Sequence, residues 1–135
     1  MYELRPIGHV ESPLTERAAA PKQGDEGSPD AWLVLDEPVH TAASDLRAGM
    51  AVLVLMWLHL ADRSVLRVHP RSDPANPIEG VFSTRSSDRP NPIGLHRVEI
   101  VAVEGEGRLR VRNLEALDGT PIVDIKPVLD AALEK

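Results

Sequence analysis

Short apolar segments, each bounded by glycine, proline or acidic turn residues, restrict this 135-residue chain to few folds. Alternation of apolar and polar residues, or runs of β-branched residues, predicts strands in these segments. The predicted strands cover residues 4–10, 31–35, 51–59, 64–69, 80–84, 95–103, 108–113 and 122–125. Because closing a sheet removes its aggregation-prone edges, so many short strands favour a barrel. We therefore predict a mainly β fold, a single compact β-barrel-like domain over residues 1–135 with few short helices.

The segments between the strands give further expectations. One or two helical turns are predicted at residues 41–48, and a terminal turn at residues 129–135. Residues 104–107 (EGEG) predict a hairpin turn, and residues 17–30 and 69–77 predict long loops. In the last strand, alternation predicts that Ile122 and Asp124 share one face, and that Asp124 pairs with Lys126.

Composition excludes several classes of protein. The chain has no cysteine, which rules out disulfides, thiolate chemistry and cysteine-ligated zinc. Its longest apolar run, residues 50–58, is far shorter than the roughly 20 residues of a membrane-spanning helix. The N-terminus lacks the pattern of a signal peptide, so a cytoplasmic protein without membrane contact is expected. The histidines have no metal-ligand spacing and no metal is predicted; they are His9, His40, His59, His69 and His96.

The charge of the chain is unevenly distributed. The formal net charge is −6, which argues against a general nucleic-acid binder. Residues 63–97, however, contain six arginines against three acidic residues, a local charge of +3. This stretch could form an RNA-facing patch on an acidic protein, or a solvated loop with scattered arginines.

Residues 85–94 (RSSDRPNPIG) cannot form a helix, since two prolines fix φ and remove backbone donors. Arg85 and Arg89 flank this loop with guanidinium forks suited to carboxylate or phosphate. A rigid surface loop with incidental arginines is the alternative interpretation. Further on, Asp118 and Gly119 form a turn signal before the last strand, which by itself is weak evidence for a site.

Together, the motifs TRSSDRPNPIG at 84–94 and LDGTPIVDIKP at 117–127 resemble those of the TsaA-like domain, or TrmO family, of S-adenosylmethionine-dependent tRNA adenine-N6 methyltransferases. The likeness extends to residues 7–13 (IGHVESP), 20–24 (APKQG) and 57–59 (WLH), and so covers nearly the whole chain. The resemblance implies a TsaA-like β-barrel that binds S-adenosyl-L-methionine and typically forms a homodimer. The implied reaction is N6-methylation of threonylcarbamoyl-adenosine at position 37, beside the anticodon of tRNA.

The resemblance also implies roles for individual residues. Cofactor contacts are expected from Pro21, Lys22, Gln23, Gly24, His59, Leu60, Arg85, Leu95, Glu115, Ala116, Leu117 and Asp118. Arg85 is the expected partner of the cofactor carboxylate, Leu95 and Leu117 are expected apolar walls, and Glu115 or Asp118 an acidic neighbour of the cation. Asp118 is the first candidate for a catalytic base, followed by Asp124 and Lys126. Contacts to the methyl acceptor are expected from Arg67, Arg71, Arg89 and Asn91.

Three departures from the family pattern keep other functions open. Glu115 stands where members usually have aspartate, Val128 stands where they usually have tyrosine, and no C-terminal accessory domain is expected after residue 135. One alternative is a methyltransferase of a small molecule or free nucleoside on the same barrel, which the arginine cluster opposes. A second is a non-catalytic S-adenosylmethionine-binding module, which the retention of both motifs opposes. Measuring tRNA binding at two salt concentrations distinguishes these functions. A tRNA enzyme is expected to bind tRNA in a salt-dependent way, and neither alternative is.

Overall fold

The computed structural model describes residues 1–15 and 30–129, in which six antiparallel strands close into a barrel. In chain order the strands are β1 (Gly8–Glu11), β2 (Ala31–Leu35), β3 (Ala51–Trp57), β4 (Arg67–Val68), β5 (Glu79–Gly80), β6 (Ile93–Val103), β7 (Arg108–Arg112) and β8 (Pro121–Pro127). The order around the barrel is β1-β2-β7-β6-β3-β8, and β1 closes it by pairing with both β2 and β8. The strands β4 and β5 form a separate two-stranded sheet within the connection from β3 to β6. The predicted mainly β barrel is confirmed.

Alternating side chains of every long strand fill the barrel. In β3, Val52, Val54 and Met56 are fully buried, while the intervening residues face outward. Strands β6 and β7 contribute interior residues in the same alternating way, including Val98 and Leu109. The interior is therefore an apolar core that leaves no room for a site inside the barrel.

Several boundaries differ from the sequence prediction for local reasons. The first strand begins at Gly8 rather than residue 4. Residues 81–83 form a 3₁₀ helix instead of extending β5, because the Thr84 amide bonds back to the Val81 carbonyl. The helix predicted at 41–48 is a 3₁₀ helix at Glu37–Ala43, which begins earlier because Pro38 suits a first helical turn. The predicted hairpin turn at 104–107 is confirmed, with Gly105 at φ 67°.

The predicted alternation in the last strand is wrong. Ile125 pairs with the interior residue Val54, and Ile122 pairs with the interior residue Met56. Both isoleucines therefore pack on the core, because a β-bulge between these pairs adds one residue and shifts the phase. Asp124 lies opposite Leu55 on the outer face, and its predicted ion pair with Lys126 is confirmed at 3.2 Å.

Barrel closure depends on a close approach at Gly8. A Cβ at this position would overlap the Val34 carbonyl oxygen and lie 2.9 Å from the Leu35 Cα, both backbone atoms of β2. Gly8→Ala is expected to lower the free energy of unfolding by about 2 kcal/mol, since the two strands must separate to accept the methyl group. Gly80→Ala is the matched control, because its Cβ would meet nothing closer than 4.0 Å and φ is −62°. Urea denaturation measures both; equal stability of the two variants would contradict this account.

Candidate functional site

The candidate site is a cavity of about 630 Å³ at the end of the barrel where β3 ends. This volume is in the range of small-molecule sites. Its walls come from the rim of the barrel, from the connection between β3 and β6, and from the turn before β8. The lining comprises residues 58–61, 68–72, 83–88 and 115–117, with Glu79 and Thr120.

The cavity brings together seven of the residues predicted from the sequence. From the cofactor set it is lined by His59, Leu60, Arg85, Glu115, Ala116 and Leu117, and from the acceptor set by Arg71. Pro21, Lys22, Gln23 and Gly24 lie outside the described residues, as do most of the predicted loop at 17–30 and all but the first residue of the predicted turn at 129–135.

The loop that carries Arg85 is held by its own polar side chains. Thr84 Oγ1 donates to the Val81 carbonyl at 2.9 Å and accepts from the Ser86 amide at 3.2 Å. The Arg89 guanidinium donates to the carbonyls of Val81, Thr84 and Ser86 at 2.6, 3.0 and 3.0 Å. The fork of Arg89 is directed at these backbone carbonyls and holds the loop, and its predicted contact with the acceptor stays a prediction.

The proline-rich part of the loop is anchored from the preceding segment. Arg63 donates to the Pro90 carbonyl at 2.6 Å and to Asn91 Oδ1 at 2.9 Å. The Asp62 amide donates to Asp88 Oδ1 at 2.8 Å. Asn91 thus serves as an anchor in this structure and lies outside the cavity lining, and its contact with the acceptor stays a prediction.

Removing the Arg89 fork should loosen the cavity wall. Arg89→Met keeps an aliphatic stem but leaves three carbonyls without their charged donor, so stability should fall by about 2 kcal/mol. Hydrogen exchange should show faster exchange at residues 81–89 while the barrel strands stay protected. Arg97→Met, on the exposed outer face of β6, is the control expected to change stability by less than about 0.5 kcal/mol. Unchanged exchange in residues 81–89 would refute the holding role of Arg89.

The turn before β8 divides its residues between two surfaces. Thr120 is buried, and its hydroxyl donates to the Leu117 carbonyl at 2.7 Å, which fixes residues 115–117 against the cavity. Asp118 instead accepts from the Ser12 amide at 3.0 Å and lines a neighbouring groove with His9 and Trp32. Of the two acidic candidates, Glu115 is therefore the one that lines the main cavity.

The remaining predicted residues are not among those that line the cavity. Leu95 and Asp124 both pair with Leu55 on the outer face of the barrel, and Lys126 lies beside Asp124. Leu95 is 41% exposed. Arg67 is exposed on β4.

His96 is an ionisable residue for which sequence reasoning gave no role. Its partner in β3 is Val54, an interior residue, so the imidazole points into the barrel two positions after Gly94. Burial, and then the charge of Arg85, lower the pKa of His96 below the ordinary value of 6.5, so the ring is neutral at physiological pH. Its Nδ1 is buried without a hydrogen-bond partner. The alternation of β6 could have shown its inward direction, but not its proximity to Arg85, which lies on a distant loop.

The described residues contain no cluster of three or more histidine or acidic side chains arranged to hold a metal ion. Within the same part of the chain, no helix has the length and apolar character needed to cross a membrane.

Comparison with known proteins identifies the family. A model described as the tRNA-methyltransferase O N-terminal domain matches residues 9–132. The chain is 47% identical over 124 residues to a Methanothermobacter thermautotrophicus protein named "Probable S-adenosyl-L-methionine-binding protein", covering 92% of this chain and 88% of that protein. It is 42% identical over 123 residues to an Archaeoglobus fulgidus "S-adenosyl-L-methionine-binding protein", covering 91% and 86%.

Solved structures agree with the sequence comparison. The fold matches a crystal structure of TrmO from Pseudomonas aeruginosa with a TM-score of 0.76 and 32% identity, over 98% of this chain. This chain spans 58% of the length of that protein. The predicted family is confirmed: the chain belongs to the family of the tRNA-methyltransferase O N-terminal domain.

Proposed function

We propose that this protein is an S-adenosylmethionine-dependent methyltransferase whose acceptor is N6 of threonylcarbamoyl-adenosine at position 37 of tRNA. The main support for the proposal is that Arg85 and Glu115 line the same cavity. Three apolar residues line it with them, namely Leu58, Leu60 and Leu117. Family membership and the names of the relatives support the same cofactor.

The side chains of the cavity suit the chemical groups of S-adenosylmethionine. Arg85 offers a guanidinium fork to the carboxylate, and among the described residues no acidic side chain forms an ion pair with it. Glu115 supplies negative charge for the sulfonium cation, and the leucines supply an apolar surface for the adenine ring. The charges, the apolar surface and the volume of the cavity are thus compatible with this cofactor.

When bound, the cofactor would supply a methyl group carried on a sulfonium. The acceptor nitrogen would form the new carbon–nitrogen bond as the carbon–sulfur bond breaks, and the electron pair of that bond would stay on sulfur. The protein mainly aligns the two reactants and excludes water, a contribution of about 7 to 11 kcal/mol for well-oriented groups. Because the acceptor nitrogen must also lose a proton, a carboxylate in the cavity would accelerate transfer. We propose Glu115 for this role, since Asp118 lies in the neighbouring groove.

A smaller acceptor is the second candidate, and the distribution of charge favours it. The arginines of β7 are each paired with an acidic residue: Arg108 with Glu11, Arg110 with Asp30, and Arg112 with Glu99. Arg89 is bound to backbone carbonyls. Fewer cations are thus available to RNA phosphates than the arginine count indicates, as expected for a free nucleoside acceptor.

The direct test is methyl transfer from labelled S-adenosylmethionine to tRNA that lacks the modification, with the free nucleoside in a parallel reaction. Label in N6-methylated threonylcarbamoyl-adenosine of tRNA would establish the acceptor. Label in the nucleoside alone would establish the second candidate. Binding of the cofactor without transfer to either would identify a non-catalytic binding module and refute the proposal.

We also propose that the protein acts as a homodimer. Large apolar side chains are exposed on the connection between β3 and β6: Leu60, Leu66, Ile78 and Phe82. Phe82 is 83% exposed and adjoins the cavity residue Ser83, so this surface suits a second copy close to the site. Light scattering coupled to size exclusion measures the mass in solution, and a monomer at micromolar concentration would contradict the dimer.

A further inference from the structure

The loop at residues 69–76, between β4 and β5, lines the cavity with its first four residues. Hydrogen bonds join its two ends: His69 Nδ1 lies 2.8 Å from the Asn76 carbonyl oxygen, and the Asn76 side-chain amide donates to the Pro70 carbonyl at 2.8 Å. Between these ends, Arg71 and the residue after it both have a φ of 57°. Consecutive left-handed residues other than glycine cost free energy, and such strain is concentrated at ligand-binding loops.

The hydrogen bond to Asn76 determines which nitrogen of the His69 ring carries a proton. A carbonyl oxygen only accepts, so Nδ1 is the donor. In the neutral imidazole the other nitrogen, Nε2, is then an acceptor. Within residues 1–15 and 30–129, Nε2 has no hydrogen-bond partner, and it is not one of the enclosed polar atoms. Because the ring lines the cavity, Nε2 is available to accept a hydrogen bond from a bound ligand.

Arg71 supplies a second cation to the cavity. It lies two residues after His69 in the same loop, whereas Arg85 lies on a separate loop that follows β5. The proposed function involves two carboxylates, that of the cofactor and that of the threonylcarbamoyl group, and it assigns the first to Arg85. Arg71 is suited to the second.

The threonyl group also has a donor for the imidazole. Its hydroxyl is on the carbon next to the one that bears the carboxylate, so an anion and a donor are adjacent. They match the guanidinium of Arg71 and the acceptor nitrogen of His69 on one loop. The ammonium group of the cofactor is a less suitable partner, because the charge of Arg71 would repel it.

We propose that His69 is a specificity-determining residue, whose Nε2 accepts a hydrogen bond from the threonine hydroxyl of the acceptor while Arg71 binds the neighbouring carboxylate. The inference rests on the proposed function, which supplies the threonylcarbamoyl group. It applies to a tRNA acceptor and to a free nucleoside, since both contain that group. The cavity then selects a β-hydroxy amino acid over one that lacks the hydroxyl.

The first test compares two ligands that differ only in this hydroxyl. One is N6-threonylcarbamoyladenosine, and in the other 2-aminobutyrate replaces threonine. Calorimetry measures the binding of each to the protein saturated with S-adenosylhomocysteine, both as the free nucleoside and within an anticodon stem-loop RNA. The unaltered protein should bind the threonine form about tenfold more tightly, since only that form has a donor for Nε2. Equal affinities would overturn the inference.

Variants assign the preference to His69. His69→Leu removes the acceptor nitrogen, so the two ligands should bind with equal affinity. His69→Gln places a carbonyl oxygen near the position of Nε2 and should keep most of the preference. His9→Gln, in the separate groove, should keep all of it. A preference that survives His69→Leu unchanged would contradict the role of His69.

Nitrogen NMR of the His69 ring tests the assignment without a substitution. At a pH at which the ring is neutral, Nδ1 should carry the proton and Nε2 should not. The Nε2 resonance should shift when the threonine form binds, and much less with the 2-aminobutyrate form. A histidine that only holds the loop would show no such difference, and a proton on Nε2 in the ligand-free protein would refute the proposed contact.

The two levels of proposal fail differently. A protein that binds no S-adenosylhomocysteine, or that binds it but neither the nucleoside nor the stem-loop with threonylcarbamoyl-adenosine, overturns the proposed function and this inference with it. A protein that binds the threonine and 2-aminobutyrate ligands equally keeps the proposed function and overturns only the role of His69.

Discussion

Glu115→Gln should lower the turnover of methyl transfer about 100-fold at saturating cofactor, which is the scale of a lost general base. Glutamine keeps the shape of the side chain but cannot accept the proton of the acceptor nitrogen. The affinity for S-adenosylhomocysteine should remain nearly unchanged, because that product lacks the sulfonium charge that we propose as the partner of Glu115. Single-turnover kinetics with labelled cofactor measures the chemical step, and calorimetry measures binding.

Asp118→Asn is the matched control for Glu115→Gln. Both changes convert a carboxylate to its amide on the same turn, but Asp118 accepts from the Ser12 amide and lies outside the main cavity. We expect little loss of turnover from this change. A large loss in Asp118→Asn, with full turnover in Glu115→Gln, would return the role of base to Asp118.

Arg85→Ala should weaken S-adenosylhomocysteine binding about 100-fold, or about 2.7 kcal/mol, because a bidentate charged contact to the carboxylate is lost. Arg85→Lys restores a charge without the planar fork, so its affinity should be intermediate. Arg67→Ala is the control, since Arg67 is exposed on β4 outside the lining of the cavity. Calorimetry of each variant gives the dissociation constants.

The ligand itself provides a second control for Arg85. 5′-Methylthioadenosine keeps the adenosine and sulfur but has no carboxylate, so its affinity should be the same in Arg85→Ala as in the unaltered protein. Equal weakening of both ligands would mean that Arg85 shapes the cavity and does not bind the carboxylate. A weakening confined to S-adenosylhomocysteine would assign the contact.

Local patterns predicted the barrel well because strand periodicity and turn residues act over a few neighbours. The segments that became β2, β3, β6 and β7 were visible from alternation, and the hairpin turn at 104–107 from its glycines. The unusual motifs also predicted that Arg85 and Glu115 belong to one site, although 29 positions separate them in the chain.

Local sequence patterns do not predict the effect of an added residue on strand register or the contacts between distant parts of the chain. The bulge in β8 moved Ile125 inward, and alternation alone contains no sign of it. Local patterns also contain no sign that the carbonyls of Val81 and Thr84 accept hydrogen bonds from Arg89.

By itself, the sequence determined the strands, the rigid loop and the residue types of the site, because backbone restriction and side-chain chemistry are local properties. Only the tertiary structure decided which of those residues share a cavity. It placed Glu115 inside and Asp118 outside, three residues apart on one turn, and it directed His96 toward the barrel interior, where burial and then the charge of Arg85 lower its pKa. The positions of these residues depend on barrel closure and on hydrogen bonds such as that from the Ser12 amide to Asp118. Both join residues that are far apart in the chain.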